Sequence, residues 1–166
     1  MDEAQATDCG MFVWSVRVYY EDTDSGGVVY YANYLKFMER TRSEWLRSLG
    51  VEQDELLDRN KVLFAVRSVS VDYVQPARFN DLLWVTAAVA ACGRASLSLD
   101  QHVVRVMAGR CDGVSGHLEQ DDYRALIGDK ETLLCSGRVR IACLDSDSLR
   151  PRPIPSHLYA EIARGD

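Results

Sequence analysis

The sequence predicts an α+β domain in which one antiparallel sheet of five strands is crossed on one face by a single long helix. Three observations carry this. One stretch reads as a long amphipathic helix: residues 34–49 place Tyr34, Phe37, Met38, Trp45 and Leu49 at helical spacing. Residues 12–20 alternate apolar with polar, and four further stretches are rich in Val, Leu, Ala and Ser, several of them alternating too. The connections between the later strands, Gln75-Pro76-Ala77-Arg78-Phe79-Asn80-Asp81 and Cys92-Gly93-Arg94, are too short to hold the crossover helices that parallel neighbours need.

In chain order, residues 1–10 read as a flexible acidic tail and residues 11–166 as one domain. Residues 12–20 form the first strand, with Trp14, Val16, Val18 and Tyr20 on one face and Ser15 and Arg17 on the other. The helix follows over roughly residues 33–49, and Gly50 stands where a C-terminal cap belongs. Four strands come after it, over residues 62–73, 82–92, 95–107 and 133–144. Between the last two, residues 108–130 hold four glycines and a run of acids, which predicts a surface excursion. The Pro151-Arg152-Pro153-Ile154-Pro155 run marks the end of the sheet.

With 166 residues, 47% hydrophobic and 27% charged, the chain is one ordinary domain with enough apolar content for a core. Its net charge of -6 argues against a nucleic-acid binder, whose phosphate contacts need a basic surface. The first ten residues lack a basic signal-peptide start, and no apolar run approaches a membrane span, so a cytoplasmic location is expected. Cys9, Cys92, Cys111, Cys135 and Cys143 form no CxxC pair, which leaves reduced thiols filling space. His102, His117 and His157 have no partner at metal or triad spacing. Neither a metal nor a cofactor is expected.

Chemistry concentrates in Glu21-Asp22-Thr23-Asp24-Ser25-Gly26-Gly27-Val28-Val29-Tyr30-Tyr31, between the first strand and the helix. Glycines let backbone turn and approach a ligand, and the unpaired N–H groups of a helix start favour negative charge. One short loop can therefore offer both a carboxylate and an oxyanion site. The structural alternative is that Asp22 or Asp24 only caps the turn. An EF-hand fails, because Gly26 and Asn33 stand where ligands belong. On the helix, Glu39 and Arg42 are at pairing distance.

The run from Val16 to Gly50, VRVYYEDTDSGGVVYYANYLKFMERTRSEWLRSLG, resembles the signature of hotdog-fold acyl-CoA thioesterases of the 4-hydroxybenzoyl-CoA thioesterase family, in its Tol-Pal operon associated branch. The likeness continues through Asp72-Tyr73, Gln75-Pro76-Ala77-Arg78, the Gly93-Arg94-Ala95-Ser96-Leu97 turn and the Pro-rich end. It implies a sheet wrapped around a central helix, and a homodimer paired edge to edge that is often doubled to a tetramer. Exposed sheet edges independently call for such pairing.

By position, the resemblance implies Asp24 as catalytic carboxylate and the Tyr31 backbone N–H as oxyanion donor, with Gly26, Gly27 and Val28 against the substrate. The branch commonly has His where this chain has Tyr31. Sixteen of 19 basic residues are Arg, a bidentate phosphate ligand. Arg94 with Ser96, and Arg150 with Arg152, are the candidate grips on coenzyme A, and the resemblance favours Arg94. The expected activity is metal-independent hydrolysis of a small or aromatic acyl-CoA, coenzyme A being part of the substrate. Two alternatives are a non-catalytic acyl-CoA-binding hotdog protein and a hotdog dehydratase; the latter pairs a His with its carboxylate, and residues 21–45 hold no His.

Overall fold

Alternation in the first strand sets the two sides of the molecule. In β1 (Met11–Arg17), Phe12, Trp14 and Val16 face the central helix, while Val13 joins a separate cluster on the opposite face. The structure is a computed structural model that describes residues 11–107 and 115–164, so the expected tail 1–10 lies outside the described residues. The remaining strands are β2 (Val62–Tyr73), β3 (Leu82–Gly93), β4 (Ser96–Arg105), β5 (Gly116–Leu118) and β6 (Leu133–Asp145). Their order across the sheet is β2-β6-β4-β3-β1-β5, with every neighbouring pair antiparallel.

Among the described residues the sheet thus has six strands, not the expected five. Residues 116–118, inside the expected surface excursion, pair Met11 with Leu118 and Val13 with Gly116 along the outer edge of β1. Helix α3 (Gln120–Gly128) follows and lays Leu126 against Val13, Trp84 and Val104 on the outer face. The excursion is therefore partly a cover for apolar side chains. Its acids hid this, because Tyr123 and Leu126 are its two buried side chains within α3. The first strand also ends early, at Arg17, where Tyr20–Asp22 coil into a 3-10 turn.

Helix α1 (Asn33–Ser48) runs along the inner face, which gives the hotdog arrangement. Its first half packs Tyr34, Phe37 and Met38 against Leu83, Val85, Val103 and Leu134, and its second half packs Trp45 and Leu46 against Val62, Leu97 and Ile141. It stops as Gly50 predicts: Val51 N–H donates to Leu46 and Gly50 N–H to Arg47, the paired bonds of a Schellman end. The helix comes closest to the sheet at Gly137, where an added Cβ would meet the Met38 methyl at 3.0 Å. The short helix α2 (Gln53–Glu55) continues as a π turn over Leu56–Asn60, and α4 (Ser156–Arg164) buries Leu158 and Ile162 in the core around Trp45.

The register defines two ends. Arg17, Tyr73, Leu82, Arg105 and Leu133 gather at one, which carries the loop after β1; Val62, Gly93, Ser96 and Asp145 gather at the other, which carries the β3–β4 hairpin.

Candidate active site

The loop after β1 is clamped at its base and open at its tip. Asp22 is buried, and its carboxylate accepts from Tyr19 N–H at 2.8 Å. Its carbonyl accepts from Tyr30 N–H and from the Asn33 side chain, both at 2.9 Å. Asp22 is thus the capping residue, and it ties the loop to the first residue of α1. Thr23 bridges Val29, and Asp24 N–H donates to Val28 at 2.9 Å, so a narrow ladder carries Asp24 outward.

Asp24 itself is exposed. One carboxylate oxygen accepts from Gly26 N–H at 2.8 Å, and Gly27 N–H closes the turn on the Asp24 carbonyl. Both glycines are needed. A Cβ on Gly26 would stand 3.1 Å from that carboxylate oxygen, and Gly27 has φ +73. Val28 completes the turn beside Asp24.

Across the ladder the chain enters α1 through Tyr30, Tyr31 and Ala32. Among the described residues nothing accepts the Tyr31 N–H, whereas its carbonyl is held by the Tyr73 hydroxyl at 3.0 Å. An open amide at a helix entrance is the donor an oxyanion requires. Beside it lies a pocket of about 240 Å³, lined in part by Tyr31, Tyr34, Tyr73 and Pro76. Tyr34 is buried, its hydroxyl accepts from Ala77 N–H at 2.8 Å, and burial raises its pKa. That ring is a wall rather than an acid or base.

The other expected residues lie elsewhere. Arg94 sits in the β3–β4 hairpin and Ser96 begins β4, so in one chain they occupy the end of the sheet opposite Asp24. Arg152 is tied to Asp145 at 3.0 Å on that same end. Glu39 and Arg42 do not hydrogen-bond: Glu39 accepts from Ser43, and Arg42 donates to Gln101 at 2.7 Å. Gln101 is fully buried and passes the contact on to the Met38 and Thr86 carbonyls. Burial lowers the Arg42 pKa, with Glu39 opposing, and the residue borders a second pocket of about 110 Å³ between α1 and the sheet. This tie was illegible in sequence because Gln101 lies 59 residues away. Among the described residues no three His, Cys, Asp or Glu side chains gather as a metal site, and no helix is long and apolar enough to cross a membrane.

Residues 26–110 match the model of the thioesterase superfamily. The chain belongs to this family. This thioesterase is 35% identical over 152 residues to the acyl-CoA thioester hydrolase YbgC of Escherichia coli, covering 92% of the chain and 96% of the relative. It is 34% identical over 149 residues to the acyl-CoA thioesterase YbgC of Haemophilus influenzae, covering 90% and 92%. In fold, the thioesterase matches a 1,4-dihydroxy-2-naphthoyl-CoA thioesterase from Synechocystis with a TM-score of 0.73 at 19% identity, over 92% of this chain and 96% of that one. It matches a 4-hydroxybenzoyl CoA thioesterase mutant bound to 4-hydroxybenzoyl CoA with a TM-score of 0.72 at 16% identity, over 93% and 99%.

Proposed function

We propose that this thioesterase hydrolyses a small or aromatic acyl-CoA to the free acid and coenzyme A, with Asp24 as its carboxylate and the Tyr31 N–H as its oxyanion donor. One observation carries the reading: a single clamped loop presents an exposed carboxylate and, at the helix entrance it leads to, an amide N–H with no acceptor among the described residues. The YbgC relatives, named as acyl-CoA thioester hydrolases, support the substrate class.

In the reaction the Tyr31 N–H takes the charge that develops on the thioester oxygen. Asp24 either attacks the carbonyl carbon, forming an anhydride that water opens, or removes a proton from the attacking water. In both routes the C–S bond breaks, and the departing thiolate gains a proton as free coenzyme A. Gly26, Gly27 and Val28 keep the backbone low enough for the thioester to approach. No metal or further cofactor enters these steps. A pocket of about 240 Å³ beside Tyr31 suits a small or aromatic acyl group, being below the roughly 300–1,000 Å³ of sites that take drug-sized ligands.

The reading includes a homo-oligomer, a dimer or a doubled dimer, in the cytoplasm. Strand β2 lies at the sheet's edge with Val66 and Val69 half exposed, the kind of edge that pairing with a second copy covers. Antiparallel pairing of β2 with its copy would bring the partner's hairpin end beside the loop end. Arg94 and Ser96 can serve a coenzyme bound at Asp24 only through such an arrangement. The test is a panel of short, long and aromatic acyl-CoAs with a thiol-detecting dye, run on protein whose size is fixed by light scattering. Turnover on the small or aromatic members is expected. A folded protein that releases no thiol from any of them overturns hydrolysis, and acyl-CoA binding without release favours the non-catalytic binder.

A further inference from the structure

Three successive carbonyls open the entrance to α1, and the middle one is held differently from its neighbours. The Tyr30 carbonyl accepts Asn33 N–H at 2.8 Å and the Ala32 carbonyl accepts Leu35 N–H at 3.2 Å, both bonds one residue tighter than those of an α-helix. The Tyr31 carbonyl has no backbone donor among the described residues. Its partner is the Tyr73 hydroxyl at 3.0 Å, from a residue 42 positions away on β2. Residue 31, whose N–H stands open, is therefore pinned on both sides. Asn33 holds the carbonyl of the peptide that carries this N–H, and Tyr73 holds the next one.

Tyr73 is itself firmly anchored. It is the last residue of β2, opposite Cys135 of β6, and the next two N–H groups, those of Val74 and Gln75, both donate to the Leu134 carbonyl, at 2.8 and 3.1 Å. Its ring meets Tyr31 and Tyr34 edge to face, with centroids 6.3 and 5.5 Å apart. Tyr34 is a fixed wall, being buried and bonded to Ala77 N–H. Burial raises the Tyr73 pKa above its usual 10, so at neutral pH the hydroxyl remains a donor. It reaches Tyr31 from a direction that the sheet sets, independent of the loop that carries Asp24.

We infer that Tyr73 is a positioning residue for the oxyanion amide: its hydroxyl, fixed by the sheet, holds residue 31 so that the Tyr31 N–H is aimed at the thioester oxygen. The inference rests on the acyl-CoA reading and adds to it a residue outside the catalytic loop. An oxyanion donor works by being aimed before charge develops, so that nothing has to reorganise at the moment of reaction. A misplacement of about 1 Å at such a contact costs up to about 10² in rate. Without the hydroxyl, residue 31 keeps the Asn33 tie on one side and loses the only protein partner of its own carbonyl among the described residues.

The experiment removes the hydroxyl and keeps the ring. On an acyl-CoA that the wild-type protein hydrolyses, Tyr73→Phe is expected to lower kcat by about tenfold with KM within about twofold, a smaller loss than the roughly 10² to 10³ of deleting an oxyanion donor. Tyr123→Phe, which removes a hydrogen-bonded hydroxyl on the outer face, is the control and should leave kcat unchanged. A second readout reports on the amide alone: the infrared stretch of the thioester carbonyl bound to the Asp24→Asn protein. It is expected below the value for free acyl-CoA, and adding Tyr73→Phe should move it back toward that value. An unchanged kcat per folded molecule, an equal fall in the Tyr123 variant, or a carbonyl stretch that Tyr73→Phe leaves in place overturns the assignment. A wild-type protein that binds acyl-CoA without releasing thiol ends the hydrolase reading alone, because the stretch, read on wild type and Tyr73→Phe, still decides the positioning role. A protein that neither binds nor hydrolyses acyl-CoA overturns both.

Discussion

The two ends of the sheet handle their polar groups in opposite ways. At the hairpin end, Asp145 accepts from Asp147 N–H, from the Ser148 backbone and hydroxyl, and from Arg152, which also reaches the Lys61 carbonyl. At the loop end, the Asp24 carboxylate has one local partner, and neither the Tyr31 N–H nor the Arg78 guanidinium has an acceptor among the described residues. Satisfied groups hold a structure together, and groups left open are available to a ligand. Asp22 and Asp24 repeat the contrast two residues apart: the first is buried and triply tied through its side chain and carbonyl, the second is exposed.

The largest expected effect tests the open end. Asp24→Asn keeps the volume of the side chain and removes its charge, so kcat should fall by about 10² to 10⁴ while the melting temperature hardly moves. A fully active variant would make Asp24 another cap and erase the contrast. Asp22→Ala should do the reverse. Losing a buried acceptor costs about 1–3 kcal/mol, read from urea unfolding, with turnover per folded molecule reduced far less than in the Asp24 variant. Where the central helix meets the sheet, Gly137→Leu should cost about 1–3 kcal/mol by driving the side chain into Met38, again a loss of stability.

At the closed end, Arg152→Ala should lower stability by only about 0.2–1 kcal/mol, since the pair with Asp145 is partly exposed. Turnover should be unaffected. A KM rise for acyl-CoA would instead show that the hairpin end also grips substrate. The smallest effect is a pH dependence on the outer face. There His102 Nδ1 meets the Tyr123 hydroxyl at 2.8 Å, and burial lowers the His102 pKa below 6.5 against the pull of Asp100. Burial also pushes the Tyr123 hydroxyl up to about 12, so it stays protonated. Because the unfolded chain takes up the His102 proton first, this pair's contribution is complete above about pH 6.5 and is lost as pH falls below it. His102→Gln should flatten that part of the stability profile. An unchanged slope would place the acid sensitivity elsewhere.

The sequence by itself determined the elements whose signal is local. Apolar spacing from Tyr34 to Leu49 and the following Gly50 specified α1 to within a residue, and alternation specified four of the strands nearly end to end. The Asp24-Ser25-Gly26-Gly27 turn was legible for the same reason, since its geometry is set by residues two and three apart. The tertiary structure decided what depends on distant partners. Only the sheet register shows that Arg94 and Asp24 lie at opposite ends of one chain, and that Arg78, 50 positions beyond Val28, lies beside it. Strand β5 and helix α3 likewise escaped the sequence, because a three-residue edge strand and two buried apolar side chains carry no period of their own. They take their form from the outer face of β1, β3 and β4, whose Val13, Trp84 and Val104 would otherwise face water.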